Sequence, residues 1–586
     1  MPQNMNYPGV YGQEIDDTSY VRVNNSTYIA VMGKAKRGPS NAKVLVSSPQ
    51  ELISTFGTPI VSGSYPSVSA IDYGIYAGLE SLKETQNLWY VRTVTGKETY
   101  AYVDLSGTAI TSAGIGVYSP AISAQTYAQT SAVGYSEGNL STDIYDLKKT
   151  SLNGTLRFAS IGPGSYGNNI AIRVETSATY GTSSTVSATV PWYNSYDSIP
   201  NNSGSSSQVW DKVFKVMVYV KADTDVFDAT WYTNNSPIET YYCSTSEAIT
   251  TPQGDSLFIE DVINGKSKYI YVVAKDLSGT IPAGTATYLP LMGGTDDLFS
   301  VATSDWSWYF GNRDTTPIDI VLAIPTSMNA QTSDNTISTL VSKRLDVIAL
   351  SQVGAVSDVT LQAIKTAAGT ATTIATPSYQ AKYVGWNLVQ DTYNSCRVML
   401  PNVVYAGAVM ARVDRIANVW EAPAGQDYGI IPSGRQNFTI DPITGGALYD
   451  LNLNSIKFVR GIGNTIWGQK TAQLKKTYRD RINVRRLLLK IEKDVEVIAN
   501  AYMFKGNTQK LRERVAGEIN SYLQNIKVKG GLEKYKVVYD ATNNPQSSID
   551  AHILNIGVYV MPTQTIEFIL VTTVVTNSGV VFTEAH

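Results

Sequence analysis

Between about Gly96 and Tyr288 the sequence turns rich in Ser, Thr, Gly and Tyr and breaks into short alternating runs such as Phe214 to Val220 and Tyr269 to Val273. On both sides it mixes strand and helix patterns, so the stretch reads as an all-β region inserted into an α/β unit that it splits. Asn201 to Ser207, a Ser/Gly-rich run, reads as an exposed loop within it. At 586 residues the chain exceeds one hydrophobic core. The expected class is therefore a multidomain α+β protein: a split α/β core, inserted all-β domains and extended terminal arms.

Before the insertion, Val21 to Val31 and Lys43 to Val46 read as strands, and Pro49 to Phe56 reads as a helix beside a capping Ser48. Ile71 to Leu82 is a second helix candidate and Asn87 to Val94 a further strand. After Gly293 and Gly294, Ile318 to Ile324 reads as a buried strand ending at Pro325, and a Thr336 to Arg344 helix leads into a strand from Leu345 to Leu350. The last third carries the clearest periodicity. Val484, Leu487, Leu488, Ile491, Val495, Ile498 and Tyr502 form one stripe of a long helix. A second helix follows with Leu511, Val515, Ile519, Tyr522, Leu523 and Ile526 on one face, Asn507 as N-cap and Gly530 as its stop. Lys536 to Tyr539, Ile553 to Val560 and Thr565 to Val575 read as closing strands.

Composition narrows the function classes. Charged residues make up only 16% against 43% hydrophobic ones, so Ser, Thr, Asn and Tyr must cover much of the surface. Tyr outnumbers Phe 38 to 12, which suits extensive protein–protein contact. A net charge of −3 supplies no global field toward nucleic acid or an anionic membrane. No apolar run of about 18 residues suggests membrane insertion, and the opening MPQNMNYPGV lacks the pattern of a secretory signal. Cys243 and Cys396 are too few and too distant for a disulfide scaffold, which fits assembly in a reducing cytoplasm.

Motifs with catalytic overtones fail on context. Gly162-Pro163-Gly164-Ser165-Tyr166-Gly167 matches GxGxxG, yet strand-like sequence follows where a dinucleotide site needs a helix, so a turn is expected. Gly463 to Thr471 nearly spells a P-loop, but Gln469 shifts Lys470 and Thr471 out of register. Only His552 and His586 exist, and Asp296 with Asp297 lacks any further ligand pattern. No catalytic residue, metal or cofactor is assigned. Between Lys470 and Lys493 nine basic residues gather, namely Lys470, Lys475, Lys476, Arg479, Arg481, Arg485, Arg486, Lys490 and Lys493. They read either as a solvated helix face or as a patch for an acidic protein surface; without interleaved aromatics nucleic acid is disfavoured.

Read in order, several segments resemble the contractile tail sheath family, which includes phage tail sheaths and the sheaths of R-type bacteriocins. The opening PGVYGQEID and TYIAVMGKAKRGPSNAKVLVSSPQELISTFG are similar to the family's arm and first α/β segment, with turns at Gly33, Gly38, Pro39 and Gly57. IGPGSYGNNIAIRV resembles its PG-[WY]-GN turn with Ser165 inserted, and LMGGTDD and PIDIVLAIP resemble the stretches where the shared core resumes. The strongest likeness is C-terminal, in AGAVMARVDRIANVWEAPAG, NLNSIKFVRGIGNTIWGQKT, INVRRLLLKIEKDV and VVYDATNNPQSSIDAHILNIGVYVMPTQTIEFILV.

The resemblance implies a virion protein of the tail, assembled in the host cytoplasm as stacked hexameric rings around a tail tube and contracting to drive that tube through the host envelope. Its implied partners are copies of itself, the tube protein, and the baseplate and tail terminator proteins. Implied too is a layout: residues 1–20 an N-terminal arm, 21–95 with 289–400 a middle domain, 96–160 and 161–288 outer domains, 401–570 an inner tube-facing domain and 571–586 a C-terminal arm. Val10, Tyr11, Ile15, Thr572, Val574, Val580 and Phe582 would add strands to neighbouring subunits, and Lys475, Lys476, Arg479, Arg485, Arg486 and Lys490 would face the tube. Two competing readings are a tail-tip or surface adhesin that binds receptor or glycan through the β-rich region, and a nucleotide-dependent enzyme resting on the two glycine motifs.

Overall fold

A computed structural model describes residues 27–40, 42–66, 70–94, 100–106, 155–176, 213–222, 225, 227–247, 249–251, 254–275, 288–296, 306–329, 336–371, 373–432, 434–540 and 543–567. The chain divides into two compact units, Ser26–Arg486 and Leu487–His586, the latter grouped with Met1–Asn25.

A seven-stranded sheet organises the first unit, in the order Leu453–Asn454, Gln380–Val384, Ile348–Val353, Ile320–Ala323, Ile29–Gly33, Leu88–Arg92, Lys43–Val46. All neighbours are parallel except the last pair. Ile29–Gly33, Ile320–Ala323 and Ile348–Val353 are buried throughout, as near-continuous apolar runs must be when both faces of a parallel sheet are covered. On one face Ala30, Val321 and Ala349 pack with Trp306, Phe310, Ile337 and Leu340. On the other, Leu322 fits against Gly407 of the Val403–Ile416 helix, where a Cβ would lie 2.6 Å from its methyl carbon. Strands that precede and follow the β-rich stretch thus lie side by side, with Ile29 opposite both Leu88 and Ile320.

The β-rich stretch contributes two antiparallel sheets, Glu239–Ser244, Val213–Val220, Ile170–Thr176, Leu289–Pro290 and Ile270–Lys275, Thr155–Ser160, Tyr102–Ser106. Val103, Leu156, Phe158 and Val272 of one share a core with Ile172, Val174, Phe214 and Val216 of the other. The region is not purely β as expected. Ala229–Asn234 is a helix capped by Asp228, and Ile259–Ile263 is a helix whose Ile259 and Ile263, one turn apart, enter the shared core. Helices this short show no period that separates them from a strand.

Local signals set most boundaries. Lys43–Val46 and Pro49–Phe56 form as expected, and Ser48 accepts from the Glu51 amide. The Thr336–Arg344 helix also stands, but Leu345 takes φ 57 and delays the next strand to Ile348. The second helix starts at Gly74, not Ile71: Ile71 pairs with Val61, and Asp72 accepts from the Gly74 amide. Gly74 sits so close to Gly33 that a Cβ on Gly33 would lie 2.5 Å from the Gly74 Cα, so only glycine fits.

The second unit continues the Ile482–Asn500 helix and adds the Gln509–Val528 helix, which packs on the strand Leu532–Val538. Val515, Ile519, Leu523 and Ile526 are buried along one face, and Gly530 at φ 84 ends the helix. Its cap is Thr508, whose hydroxyl accepts from the Leu511 amide, rather than Asn507, which is engaged with Arg512. Leu532–Val538 pairs antiparallel with Gly557–Pro562. Residues 553–556, expected in that second strand, precede it, because Asn544 bonds both the amide and the carbonyl of Asn555 and holds a turn there.

Candidate assembly surfaces

The glycine motifs are structural. Gly162–Gly167 is a loop in which Gly164 has φ 130; a single 3-10 turn, Ser165–Asn169, leads directly into the strand Ile170–Thr176. A strand rather than a helix follows the loop, so this segment does not supply the helix N-terminal amides that would bind a pyrophosphate. A Cβ on Gly162 would lie 2.1 Å from the Gly38 carbonyl, and Asp296 accepts from the amide and hydroxyl of Ser165. Asp296 therefore closes this loop, and Asp297 lies outside the described residues. In the P-loop-like stretch, Gly463–Ile466 is a strand, and Lys470 sits over the Tyr449 ring and donates to its carbonyl at 2.9 Å. Among the described residues no group of three or more His, Cys, Asp or Glu could hold a metal ion. Cys243 is buried, which pushes its thiol pKa up, away from thiolate reactivity.

The basic stretch separates into two populations. Lys475, Lys476 and Arg479 are exposed on one loop, which Gln473 shapes by donating to the Lys475 carbonyl at 2.7 Å and the Thr477 hydroxyl at 2.6 Å. Leu474 beside them is 82% exposed and Tyr478 is exposed as well, so the loop presents cations interleaved with apolar surface. Arg485, only 2% exposed, holds its guanidinium carbon 3.6 Å from the centre of the Tyr379 ring. Arg486 is buried against Asp414, and Lys490 pairs with Asp494 at 3.1 Å. The expected cluster of six is thus an exposed trio plus three side chains engaged with their own chain. Residues 482–487 are buried on every side of the helix, a condition that a one-sided apolar stripe does not encode.

A second surface is the sheet of Leu532–Val538 and Gly557–Pro562. Its pairing couples Lys536 with Tyr559 and Val537 with Val558, and among the described residues neither outer edge has a partner strand. Val528, Tyr559 and Ile566 are exposed in the same unit. The expected strand donors Val10, Tyr11, Ile15, Thr572, Val574, Val580 and Phe582 all lie outside the described residues.

The chain is similar to known proteins over parts of its length. Residues 475–576, which contain the basic loop and the open-edged sheet, match the phage tail sheath C-terminal domain. The chain is 33% identical over 196 residues to the tail sheath protein of Vibrio phage KVP40, covering 33% of this chain and 29% of that one. It is 25% identical over 462 residues to the tail sheath protein of Enterobacteria phage T4, covering 75% of this chain and 67% of the relative. The fold is similar to that of the sheath tail protein of Listeria innocua, with a TM-score of 0.51 at 10% identity over 92% of this chain and 96% of that one. Residues 475–576 thus match the phage tail sheath C-terminal domain, and along three quarters of its length the chain is similar to a phage tail sheath protein.

Proposed function

We propose that this protein is the structural subunit of a contractile phage tail sheath: it stacks as hexameric rings around a tail tube and shortens to drive that tube through the host envelope, acting by assembly rather than catalysis. The observation that carries this reading is the open-edged sheet inside the family-matched segment. Two strands alone are marginal in water, and unpaired edges are templates for further strands. The chain ends, with Val10, Tyr11 and Ile15 at one and Thr572, Val574, Val580 and Phe582 at the other, supply strand-prone sequence to fill them in neighbouring subunits. Head-to-tail exchange of this kind builds an open helical array and keeps subunits linked while their bodies rotate.

In this reading the two-part sheet is a split core, the β-rich region forms outer domains, residues 401–570 face the tube, and Lys475, Lys476 and Arg479 guide assembly onto an acidic tube surface. Tube, baseplate and tail terminator proteins are the remaining partners; the site of assembly is the host cytoplasm and the destination the virion. An adhesin is not favoured, because the matched relatives are tail sheath proteins. Negative-stain microscopy of the purified protein tests the proposal: hollow striated tubes are expected from the full chain and none after deletion of residues 1–20 or of those following Thr572. Tubes of normal stability from either truncation remove strand exchange, and a full chain that never polymerises, with or without tail tubes, removes the sheath reading.

A further inference from the structure

Among the described residues the strand Ile270–Lys275 is the outermost of its three-stranded sheet. It pairs antiparallel with Thr155–Ser160, so alternate residues direct their backbone groups at that partner or away from it. The outward set is not left to solvent. Val272 donates its amide to Asn264 Oδ1 at 2.8 Å and accepts from Asn264 Nδ2 at 2.9 Å, the Ala274 amide donates to Glu260 Oε1 at 2.7 Å, and the Ile270 amide donates to the Ser267 hydroxyl at 3.1 Å. Side chains thus stand where a fourth strand would.

Periodicity explains the fit. Glu260 in the Ile259–Ile263 helix and Asn264 at its C-cap are one turn apart, a rise of about 6 Å, while the outward groups of a strand recur every two residues, about 6.6 Å. The carboxamide of Asn264 makes the same two bonds to Val272 that an antiparallel neighbour would make. Ile259 and Ile263, each one position earlier, enter the core that holds Val272 and so fix the helix in this register. Ser267 is fixed as well, since its hydroxyl donates to Glu239 at 2.6 Å. The sheet of Leu532–Val538 and Gly557–Pro562 differs: among the described residues, side chains reach its backbone only at the Val538 carbonyl, from Asn543.

We propose that Glu260 and Asn264 are specificity-determining residues for self-association: as a surrogate strand they close the outer edge of Ile270–Lys275, so that the strand-prone segment 571–586 of a second copy is refused there and adds instead to the sheet of Leu532–Val538 and Gly557–Pro562. An edge with free amides and carbonyls is a template for any extended segment, and strand addition draws its affinity from the backbone rather than from sequence. Selectivity between two sheets of one chain therefore comes from occupying the wrong edge. The choice of 571–586 as the refused segment rests on the strand-exchange reading; closure of the edge does not.

Two measurements on the full chain test it. Hydrogen exchange resolved to single residues by fragmentation mass spectrometry reads the edge: Glu260→Ala should speed exchange of the Ala274 amide about tenfold, and Glu260→Gln, which keeps the acceptor oxygen, should restore it. Asn264→Ala should do the same at Val272. A synthetic peptide of residues 571–586 carrying a photo-crosslinker then reads the refusal. On the wild type it should label 532–538 or 557–562 and leave 270–275 unlabelled; on Glu260→Ala/Asn264→Ala it should label 270–275 as well and slow exchange there again. Labelling of 270–275 in the wild type, unchanged exchange in the variants, or an opened edge that takes no peptide overturns the proposal. If the double variant does not fold, Glu260→Ala alone decides by the same criteria. Labelling of the opened 270–275 edge without any at 532–562 would remove the strand-exchange reading and leave the closed edge standing; labelling at 532–562 with none at the opened edge would remove only the refusal.

Discussion

Arg92 donates from Nη2 to the carbonyl of Pro163 at 2.6 Å, joining the last sheet strand before the β-rich region to the glycine loop inside it. The same guanidinium donates from Nε to Ala35 and from Nη1 to Gly38, so one side chain satisfies three carbonyls from two loops while being 1% exposed. Lysine has a point charge and no planar fork, and it would leave at least one of these carbonyls buried and unpaired. Arg92→Lys is therefore expected to lower stability by about 3 kcal/mol and to open residues 161–169 to protease before the rest of the chain. An unchanged urea midpoint together with an unchanged first cleavage site would contradict this.

Asp72 links stability to pH. Its Oδ1 accepts from the Lys34 amide at 3.1 Å and the Gly74 amide at 2.9 Å, yet desolvation outweighs these bonds and pushes its pKa up to about 6 from 3.8. Because the folded value is the higher one, the folded chain keeps this proton while the unfolded chain releases it. The contribution of Asp72 to stability is greatest below the unfolded pKa and is lost as pH rises to about 6, on the order of 3 kcal/mol in all. Asn can accept the same two amide bonds and does not titrate. Asp72→Asn should thus gain on the wild type between about pH 4 and pH 6 and run parallel to it above that window. Denaturation midpoints taken across the window check the sign, and a pH-independent difference rules the assignment out.

The cap of the Gln509–Val528 helix separates two adjacent residues of similar propensity. Thr508 accepts from the Leu511 amide at 3.2 Å, whereas Asn507 accepts from Arg512 and donates to the Ile553 carbonyl. Thr508→Ala should cost about 1 kcal/mol through the lost cap. Helix peptides 509–515 should then exchange faster, and Asn507→Ala should leave that first turn protected. The reverse ranking would return the cap to Asn507.

This cap shows where sequence reading stops. Asn and Thr are both good N-caps, and the choice was made by Arg512, a neighbour whose reach no propensity reports. Elements fixed by local signals were legible: Ser48 before Pro49–Phe56, the strand Lys43–Val46, the Thr336–Arg344 helix and the stop at Gly530. The glycine turn at Gly162–Gly167 was legible as well, because strand-like sequence follows it. Contacts across hundreds of residues were not. Nothing near Arg486 announces Asp414, and nothing near Arg92 announces Pro163. The same blindness merged the nine basic residues from Lys470 to Lys493 into one run, although tertiary packing buries Arg485 and Arg486 and leaves Lys475, Lys476 and Arg479 in solvent.

That division makes the proposed tube contact testable with an internal control. If the exposed trio steers the subunit onto an acidic tube, reversing Lys475, Lys476 and Arg479 to Glu should abolish co-sedimentation with purified tubes while the far-UV spectrum and the denaturation midpoint stay as in the wild type, since exposed charges contribute little to folding. Wild-type binding should weaken as salt shortens the Debye length below its roughly 8 Å at physiological strength. Reversing Arg485 should behave differently: it replaces a cation over the Tyr379 ring with a buried carboxylate, so stability falls first and binding is lost only as a consequence. Apolar Leu474 and Tyr478 lie beside the trio, so part of the binding should resist salt, and Leu474→Ser should remove that residual part. Salt-sensitive binding that survives the triple reversal would place the tube-facing charge elsewhere on the chain.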